Sequence, residues 1–177
     1  MSDGIKTGRS RVPVFAAIDF ETADTGRDSA CAVAVVRVKG SAVTDRTFYY
    51  IRPPRRSFMF TYIHGITWDR VADAPTFRDL WPLLRKKLTG VEFIAAHNAS
   101  FDRSVLNRCC EESNLDVPGH PFKCTMRLAR DVWGIYPTTL PDVCRVLRIP
   151  LRHHEAGSDA EACARIVIAA MKEENGE

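Results

Sequence analysis

The sequence has no glutamine and no pair of cysteines spaced as Cys-x-x-Cys, and it contains no internal repeat or low-complexity segment. Its six cysteines are irregularly spaced, which argues against both a disulfide framework and a zinc site. No apolar run approaches the roughly 20 residues that span a bilayer. Met1–Arg11 also lacks the apolar core of a signal peptide. We therefore expect a cytoplasmic protein with reduced thiols and no membrane association.

The chain has 177 residues, the length of a single domain that can bury a substantial core. Its charged fraction of 27% and aromatic fraction of 9% are those of an ordinary globular protein. The formal net charge of +3 permits a polyanionic partner but does not by itself indicate one. The sequence predicts a flexible tail over residues 1–12, a folded domain over 13–172 and a carboxy-terminal tail over 173–177.

Three apolar, β-branched runs separated by polar turns open the chain, and they predict an antiparallel meander over about 13–20, 30–39 and 43–51. A long loop through Thr67 follows, and Thr76 begins a helix that keeps helical apolar spacing to about Thr89. Short strands then alternate with helices, with strands at about 91–96 and 122–125 and helices that end near 112, 133, 147 and 172. Strands first and βα alternation afterwards predict an α/β protein whose mixed five-stranded sheet is flanked by helices.

The first strand ends in two carboxylates, Asp19 and Glu21. Residues i and i+2 of a strand project to the same face, so the two side chains are expected to lie together. Like charges beside a buried strand are costly unless a cation lies between them. A divalent cation would meet that need, although a strand that simply runs into a polar loop would also account for the two acids.

Two further acids head apolar stripes of predicted helices. Asp102 and Asp159 are each followed by apolar residues at helical spacing, which places both carboxylates on a buried helix face. The helix dipole alone also favours an acid in a first turn. Ser158 and Glu161 are expected to form a capping box for the last helix, which begins at Ser158.

Taken together, the four acids come from one strand and two helix starts, and no cationic residue accompanies them at a fixed spacing. Oxygen-only ligation favours Mg²⁺ or Mn²⁺ over zinc, and such ions keep positions open for water and phosphate groups. The pattern is typical of a phosphoryl-transfer site. A histidine on the loop before the last helix, either His153 or His154, could take a proton from the attacking water.

Three segments carry a resemblance to a known family: Asp19-Phe20-Glu21-Thr22, His97-Asn98-Ala99-Ser100-Phe101-Asp102 and His154-Glu155-Ala156-Gly157-Ser158-Asp159. Their residues and order resemble the DEDD-type 3′→5′ exonucleases of the histidine subfamily. This DnaQ-like group includes the proofreading epsilon subunit of bacterial DNA polymerase III. The resemblance covers about residues 13–172 and implies an RNase H-like fold.

The resemblance also implies roles for individual residues. The family's general base precedes the last aspartate by five positions, which selects His154. Asp19, Glu21, Asp102 and Asp159 would hold two Mg²⁺ or Mn²⁺ ions, with Asp19 bridging them, while His154 deprotonates the attacking water. Nucleoside 5′-monophosphates would leave one at a time from a free 3′ end.

Substrate contacts implied by the resemblance come from residues in or near these segments, namely Phe20, Thr22, His64, Asn98 and Phe101. Many relatives have threonine where this chain has Phe20, so a backbone contact is expected there. Arg55 and Arg56 are candidates for contacts with phosphate groups.

The absence of glutamine means that the glutamine-containing clamp-binding peptide of the replicative subunit is not expected. We expect a freestanding exonuclease domain, or one recruited through another surface, as a monomer or homodimer that acts on 3′ ends of single-stranded or frayed DNA. An exoribonuclease acting on short RNA or RNA tails is the alternative within the same family, because the same five residues serve both substrates. A non-catalytic nucleic-acid-binding module is the alternative from a different class.

Overall fold

The structure is a computed structural model that describes residues 12–176, so the predicted amino-terminal tail lies outside the described residues except for Val12. Three strands form an antiparallel meander and two short strands add in parallel, in the order β3-β2-β1-β4-β5. The strands are β1 (Val14–Thr22), β2 (Ala30–Lys39), β3 (Ala42–Tyr50), β4 (Ile94–Ala96) and β5 (Phe122–Cys124). The predicted mixed five-stranded sheet is confirmed.

Helices cover both faces of this sheet. Within the described residues they are α1 (Thr61–His64), α2 (Trp68–Val71), α3 (Phe77–Leu88), α4 (Ala99–Glu112), α5 (Thr125–Trp133), α6 (Leu140–Leu147) and α7 (Ala156–Asn175). The helix α1 lies in the segment predicted as a loop, and α2 lies between the end of that segment at Thr67 and the helix predicted from Thr76. Single turns are too short to leave an amphipathic pattern. The last helix ends at Asn175, three residues beyond the predicted end. None of the helices in residues 12–176 combines the length and apolar character needed to cross a membrane.

Alternation along β1 divides the apolar core between the two faces of the sheet. Ala16, Ile18 and Phe20 pack with residues of α3 and α4. Phe15 and Ala17 pack on the other face with residues of α5, α6 and α7. Because side chains of a strand alternate between faces, the odd-numbered positions of β1 continue toward α7 after Ala17. On this face of β1, the core residues Phe15 and Ala17 are therefore followed by the two acids Asp19 and Glu21.

The predicted capping box of Ser158 and Glu161 is wrong, because α7 begins two residues earlier, at Ala156. Ser158 already lies inside the helix, and its Oγ accepts a hydrogen bond from the backbone N–H of Arg152 at 2.7 Å. Glu161 points away from the helix start and accepts a hydrogen bond from Arg46 Nε at 2.7 Å. In this first turn of α7, the carboxylate of Asp159 contacts His153 and the backbone N–H of His154 in the preceding loop.

Candidate active site

The four acids selected from the sequence lie at one end of the sheet, where β1 and β4 both finish. Asp19 and Glu21 lie near the carboxyl end of β1. Asp102 is in the first turn of α4, and Asp159 is in the first turn of α7. The negative charges of Asp102, Glu21 and Asp159 all act on Asp19. The structure therefore brings together acids that are separated by as many as 140 positions in the sequence.

Asp102 is fixed to β1 by a hydrogen bond that takes the place of a missing strand. β4 pairs with β1 only at Ala16 and Ala17. The backbone N–H of Ala16 donates to Phe93 O on that side at 3.2 Å. The N–H of Phe20 points the same way but lies beyond the end of β4, and it donates to Asp102 Oδ1 at 3.0 Å. The carboxylate of Asp102 thus accepts the hydrogen bond of a backbone N–H that no strand pairs, and it lies beside the acids of β1.

Asp159 uses only one of its carboxylate oxygens for hydrogen bonds among the described residues. Its Oδ2 lies 2.9 Å from His153 Nδ1 and accepts from the backbone N–H of His154 at 3.1 Å. Because an ionised carboxylate can only accept, His153 Nδ1 carries the proton of the first contact. Asp159 Oδ1 is buried and has no hydrogen-bond partner. This bare oxygen is the atom available to a cation.

Burial and mutual repulsion disfavour the charged forms of these acids. Burial, followed by the charges of its neighbours, raises the pKa of Asp19 well above its ordinary value. Burial and then the charges of Asp159 and Asp102 raise the pKa of Glu21 to about 8. Burial raises the pKa of Asp102 to about 7, against the hydrogen bond from Phe20 that lowers it. Burial also raises the pKa of Asp159.

These observations together fit a divalent cation held by oxygen ligands. No lysine or arginine within residues 12–176 forms a salt bridge to any of the four acids. Clustered carboxylates that are buried or half-buried and have no cationic partner are costly, and a hard cation such as Mg²⁺ or Mn²⁺ would neutralise them. His153, His154 and Asp159 form a second group whose potential ligand atoms lie within 4.8 Å of one another. That group would leave the two acids of β1 uncompensated, so the four carboxylates fit a cation better.

His154 lies beside the acids on the loop that enters α7. Its backbone has φ of 69°, in the left-handed region, and its ring stacks on His153 at 3.8 Å between centroids. Burial and the neighbouring His153 lower the pKa of His154, which favours the neutral imidazole near neutral pH. The spacing of the residues left His153 and His154 open as the base, and the family resemblance selected His154. In the structure His153 contacts Asp159, whereas His154 lines a cavity that Glu21 also lines.

This cavity has a volume of about 330 Å³, and aromatic residues of β3 form one side of it. Strand pairing connects Glu21 to Ala32 and Ala32 to Tyr50. Along the parallel row, Asp19 pairs with Ala34 and Ala34 with Phe48. Each acid of β1 therefore faces an aromatic residue across a small alanine, at a distance of about two strand spacings, roughly 10 Å. Phe48 and Tyr50 were missed by the sequence analysis because their relation to the acids depends on the register of three strands.

His64 also lines the cavity, but hydrogen bonds to the backbone occupy both of its ring nitrogens. Its Nδ1 accepts from the N–H of Ile66 at 3.0 Å, so the proton is on Nε2, which lies 3.1 Å from Thr22 O. Burial lowers the pKa of His64, in keeping with this neutral tautomer. His64 therefore fixes α1 to the end of β1 and offers its ring, rather than a free nitrogen, to the cavity.

The remaining predicted substrate residues lie in different environments. Phe20 is only 3% exposed and packs in the core, which leaves its backbone as the part that could touch a substrate. Asn98 is exposed and accepts a hydrogen bond from Ser100 Oγ at 3.2 Å. Phe101 is half-buried, and the guanidinium carbon of Arg27 lies 4.3 Å from its ring centroid. Arg27 was missed because it stands in a turn that has no periodic pattern.

Arg55, a predicted phosphate contact, is instead engaged by two aspartates of the β1–β2 turn. Its Nε and Nη2 donate to Asp24 at 2.6 and 2.7 Å, and its Nη1 and Nη2 donate to Asp28 at 2.7 and 3.0 Å. A Cβ at Gly26 would overlap this guanidinium, so the close approach requires glycine. Arg56 lies over the ring of Trp68 at 5.0 Å.

Comparison with known proteins gives a consistent result. The family model described as Exonuclease (RNase_T) matches residues 16–167. Exodeoxyribonuclease 10 of Escherichia coli strain K12 is 35% identical over 146 residues, which cover 78% of this chain and 60% of that protein. The PolC-type DNA polymerase III of Bacillus cereus is 31% identical over 150 residues, 82% of this chain and 10% of the polymerase. The chain thus spans only part of these curated relatives.

Solved structures share the fold. Exonuclease X in complex with 5′ overhanging duplex DNA superposes with a TM-score of 0.74 at 28% identity, covering 91% of this chain and 93% of that one. The nuclease domain of 3′hExo, a DEDDh family member, bound to rAMP, gives a TM-score of 0.74 at 21% identity, covering 94% and 95% of the two chains.

The mixed sheet, its flanking helices and the cluster of carboxylates define an RNase H-like nuclease fold. The chain belongs to the RNase_T exonuclease family, with DnaQ-like exonucleases among its relatives.

Because a cation would neutralise the clustered carboxylates, Mg²⁺ or Mn²⁺ is expected to raise the melting temperature. At a metal concentration of 100 times the Kd, the gain is about 2.7 kcal/mol, equivalent to about 5–10 °C. Asp19→Asn removes one charge of the cluster and is expected to raise the melting temperature in EDTA while abolishing most of the metal-induced increase. Differential scanning fluorimetry with and without metal measures both effects.

The matched control is Asp116→Asn, which changes an exposed aspartate at the opposite end of the sheet. This variant should keep the full metal-induced increase. An Asp19→Asn protein that still gained the wild-type increase would show that the acids do not form the cation site.

Proposed function

We propose that the chain is a metal-dependent 3′→5′ exonuclease that hydrolyses the terminal phosphodiester of DNA and releases nucleoside 5′-monophosphates. The observation that carries this proposal is the gathering of four carboxylates, two buried and two half-buried and one with a bare oxygen, beside a neutral histidine. Metal-dependent release of mononucleotides from a labelled oligonucleotide is its direct test. The family, the fold and relatives named exonucleases support the same proposal.

Two Mg²⁺ or Mn²⁺ ions, held by Asp19, Glu21, Asp102 and Asp159, would supply electrostatic stabilisation of the attacking and leaving oxygens. The carboxylates bring oxygen ligands from one strand and two helices to one place. Asp159 presents Oδ1 because His153 and the backbone of His154 hold Oδ2. Such outer contacts fix the orientation of a ligand and its affinity for metal.

His154 acts as the general base in this proposal. Its neutral imidazole can take a proton from the attacking water, and a positioned base contributes about 10²–10⁴-fold to a rate. The lowered pKa of His154 keeps the ring in the receptive form at neutral pH. The stacked His153 is already engaged with Asp159 and is therefore a positioning residue in this scheme, not the base.

The cavity between β3 and the loop before α7 receives the 3′-terminal nucleotide. Its volume of about 330 Å³ is at the small end of ligand cavities, which suits one nucleotide rather than a continuous strand. Phe48 and Tyr50 would contact the base or the sugar, while Glu21 and His154 lie near the scissile phosphate. A site that accommodates a single terminal unit accounts for attack at ends and not within a strand.

DNA is the proposed physiological substrate, and RNA tails are the second candidate. Exodeoxyribonuclease 10 is named for DNA, and the exonuclease X structure contains duplex DNA with a 5′ overhang. The structure of 3′hExo contains rAMP, which is the observation that favours the second candidate. Digestion of matched single-stranded DNA and RNA is expected to be faster for DNA at equal metal concentration. Faster digestion of RNA would replace the first candidate with the second.

Asp19→Ala is expected to abolish turnover, because this acid lies at the centre of the carboxylate cluster. His154→Ala is expected to lower kcat by about 10²–10⁴-fold through loss of the base. Both proteins should fold, since neither side chain belongs to the apolar core. Stepwise shortening of an oligonucleotide labelled at its 5′ end, seen as a ladder of shorter labelled strands, measures the rate and the direction of digestion together.

His120→Ala provides the matched control for His154→Ala, because His120 precedes β5 at the opposite end of the sheet. It should leave the rate unchanged. Full activity of the wild-type protein in EDTA, or full activity of Asp19→Ala, would falsify the mechanism. Binding of oligonucleotides without any digestion would instead identify a non-catalytic binding module.

His153→Ala is expected to weaken metal binding by about 10–100-fold, because Asp159 loses the hydrogen bond that orients it. His153→Asn should restore much of the affinity, since an amide N–H can replace the imidazole donor. Metal titrations followed by thermal shift provide a measurement that does not depend on turnover. Equal metal affinities for the wild-type, alanine and asparagine proteins would exclude this positioning role.

A further inference from the structure

A second depression in the surface lies on the other side of the carboxylate cluster from the terminal cavity. It is an open groove of about 530 Å³ between the β1–β2 turn and one side of α4. Arg27 stands at its head, and Ser104, Asn107 and Arg108 continue it along the helix. None of the four acids lines the groove, but Arg27 lies over Phe101, the neighbour of Asp102, so the end of the groove at Arg27 is the end near the acids.

Arg27 is held at the head of this groove by two contacts with α4. Its guanidinium lies over the ring of Phe101, with the guanidinium carbon 4.3 Å from the ring centroid. Its backbone oxygen accepts a long hydrogen bond from Cys109 Sγ at 3.6 Å. The charge of Arg27 is close enough to lower the pKa of Asp102. Among the described residues Arg27 forms no salt bridge, so its guanidinium donors are available to a ligand.

The turn that carries Arg27 is rigidly fixed on both sides. Asp24 and Asp28 flank Arg27 in the sequence, and both are bound by the guanidinium of Arg55. Within the turn, the N–H of Gly26 donates to Asp24 Oδ1 at 2.8 Å, and the N–H of Ser29 donates to Gly26 O at 3.1 Å. Arg55 offsets one of these two negative charges and holds the oxygens of both aspartates, so neither aspartate forms an ion pair with Arg27.

The charge of the groove changes along its length. Arg108 forms salt bridges with Glu111, at 3.5 Å, and with Glu112, so its charge is already compensated. The available positive charge therefore lies next to the acids, and the far end of the groove is acidic. A phosphate group would be attracted to the head and not to the far end. The distribution fits one or two phosphates of a strand beside the cleavage site.

We propose that Arg27 binds the phosphate on the 5′ side of the scissile bond and that the groove along α4 carries the strand that remains after cleavage. This inference rests on the proposed exonuclease function, since it places the retained strand relative to the same four acids. The terminal nucleotide occupies the cavity beside β3, and the rest of the strand leaves over Phe101. The stacked guanidinium is preorganised for a charge-assisted hydrogen bond to a phosphate oxygen.

The test combines kinetics with binding. Arg27→Ala is expected to raise the KM for a single-stranded oligodeoxynucleotide by about ten- to a hundredfold, the range of one hydrogen bond to a charged group, with kcat little changed. In a His154→Ala background, which retains all four acids, the same substitution should weaken oligonucleotide binding measured by fluorescence anisotropy with Mg²⁺ present. Inhibition by a nucleoside 5′-monophosphate should stay unchanged, because that ligand fills only the terminal cavity.

Salt dependence provides an independent measurement. Loss of one phosphate contact to a single strand should reduce the slope of log K against log salt by about 0.7. Arg85→Ala is the matched control, since Arg85 is an exposed arginine near the end of α3 at the opposite end of the sheet. It should change neither the KM nor the slope.

The outcomes separate this inference from the proposed function. If the wild-type protein digests the strand while Arg27→Ala matches Arg85→Ala in KM, affinity and salt slope, the phosphate contact is wrong and the exonuclease function stands. If Arg27→Ala weakens the monophosphate as much as the oligonucleotide, Arg27 serves the terminal cavity and the assigned position is wrong. If the wild-type protein neither digests nor binds the strand, both proposals fail.

Discussion

The gathering of four carboxylates in one place, two of them buried and two half-buried, is the constraint on which the rest of the site depends. Acids drawn from β1, α4 and α7 lie close enough to disfavour one another's charges. The apolar core on both faces of the sheet must offset this cost, because the cluster itself opposes folding. A bound cation would remove this repulsion. The repulsion that lowers the stability of the metal-free protein is therefore also the source of its expected affinity for metal. The cluster also determines where the proposed reaction takes place, since Glu21, one of its acids, lines the cavity proposed for the terminal nucleotide.

The register of the sheet determines what lies around the acids. β2 lies between β1 and β3, and it places the small side chains of Ala32 and Ala34 between the acids of β1 and the aromatic residues of β3. Larger residues at Ala32 or Ala34 would fill the space between the two outer strands. The short β4 has a complementary effect, because its early end leaves the N–H of Phe20 free for Asp102. Strand length and strand register thus position side chains as strictly as side-chain packing does.

Much of this arrangement follows from local sequence signals. Period-2 runs predict the meander, and the apolar stripes behind Asp102 and Asp159 place both acids inward, which is where the structure has them. The prediction that failed was that of the first residue of a helix, which several neighbouring residues can each satisfy. Ser158 and Glu161 fit a capping box, but the helix starts earlier and uses both side chains elsewhere. Arg27 had no pattern to reveal it, because its position depends on the contacts of a turn with a distant helix.

The loop before α7 shows how backbone strain and ligand orientation are coupled. His154 has a left-handed φ of 69°, a conformation that costs a non-glycine residue about 1–3 kcal/mol. Its N–H donates to Asp159 Oδ2, so the strained backbone is stabilised by a proposed metal ligand. The same conformation stacks the two imidazoles, with one ring contacting Asp159 and the other lining the cavity. Moving Asp159 would therefore disturb His154 as well, and the proposed base and metal ligand behave as one structural unit.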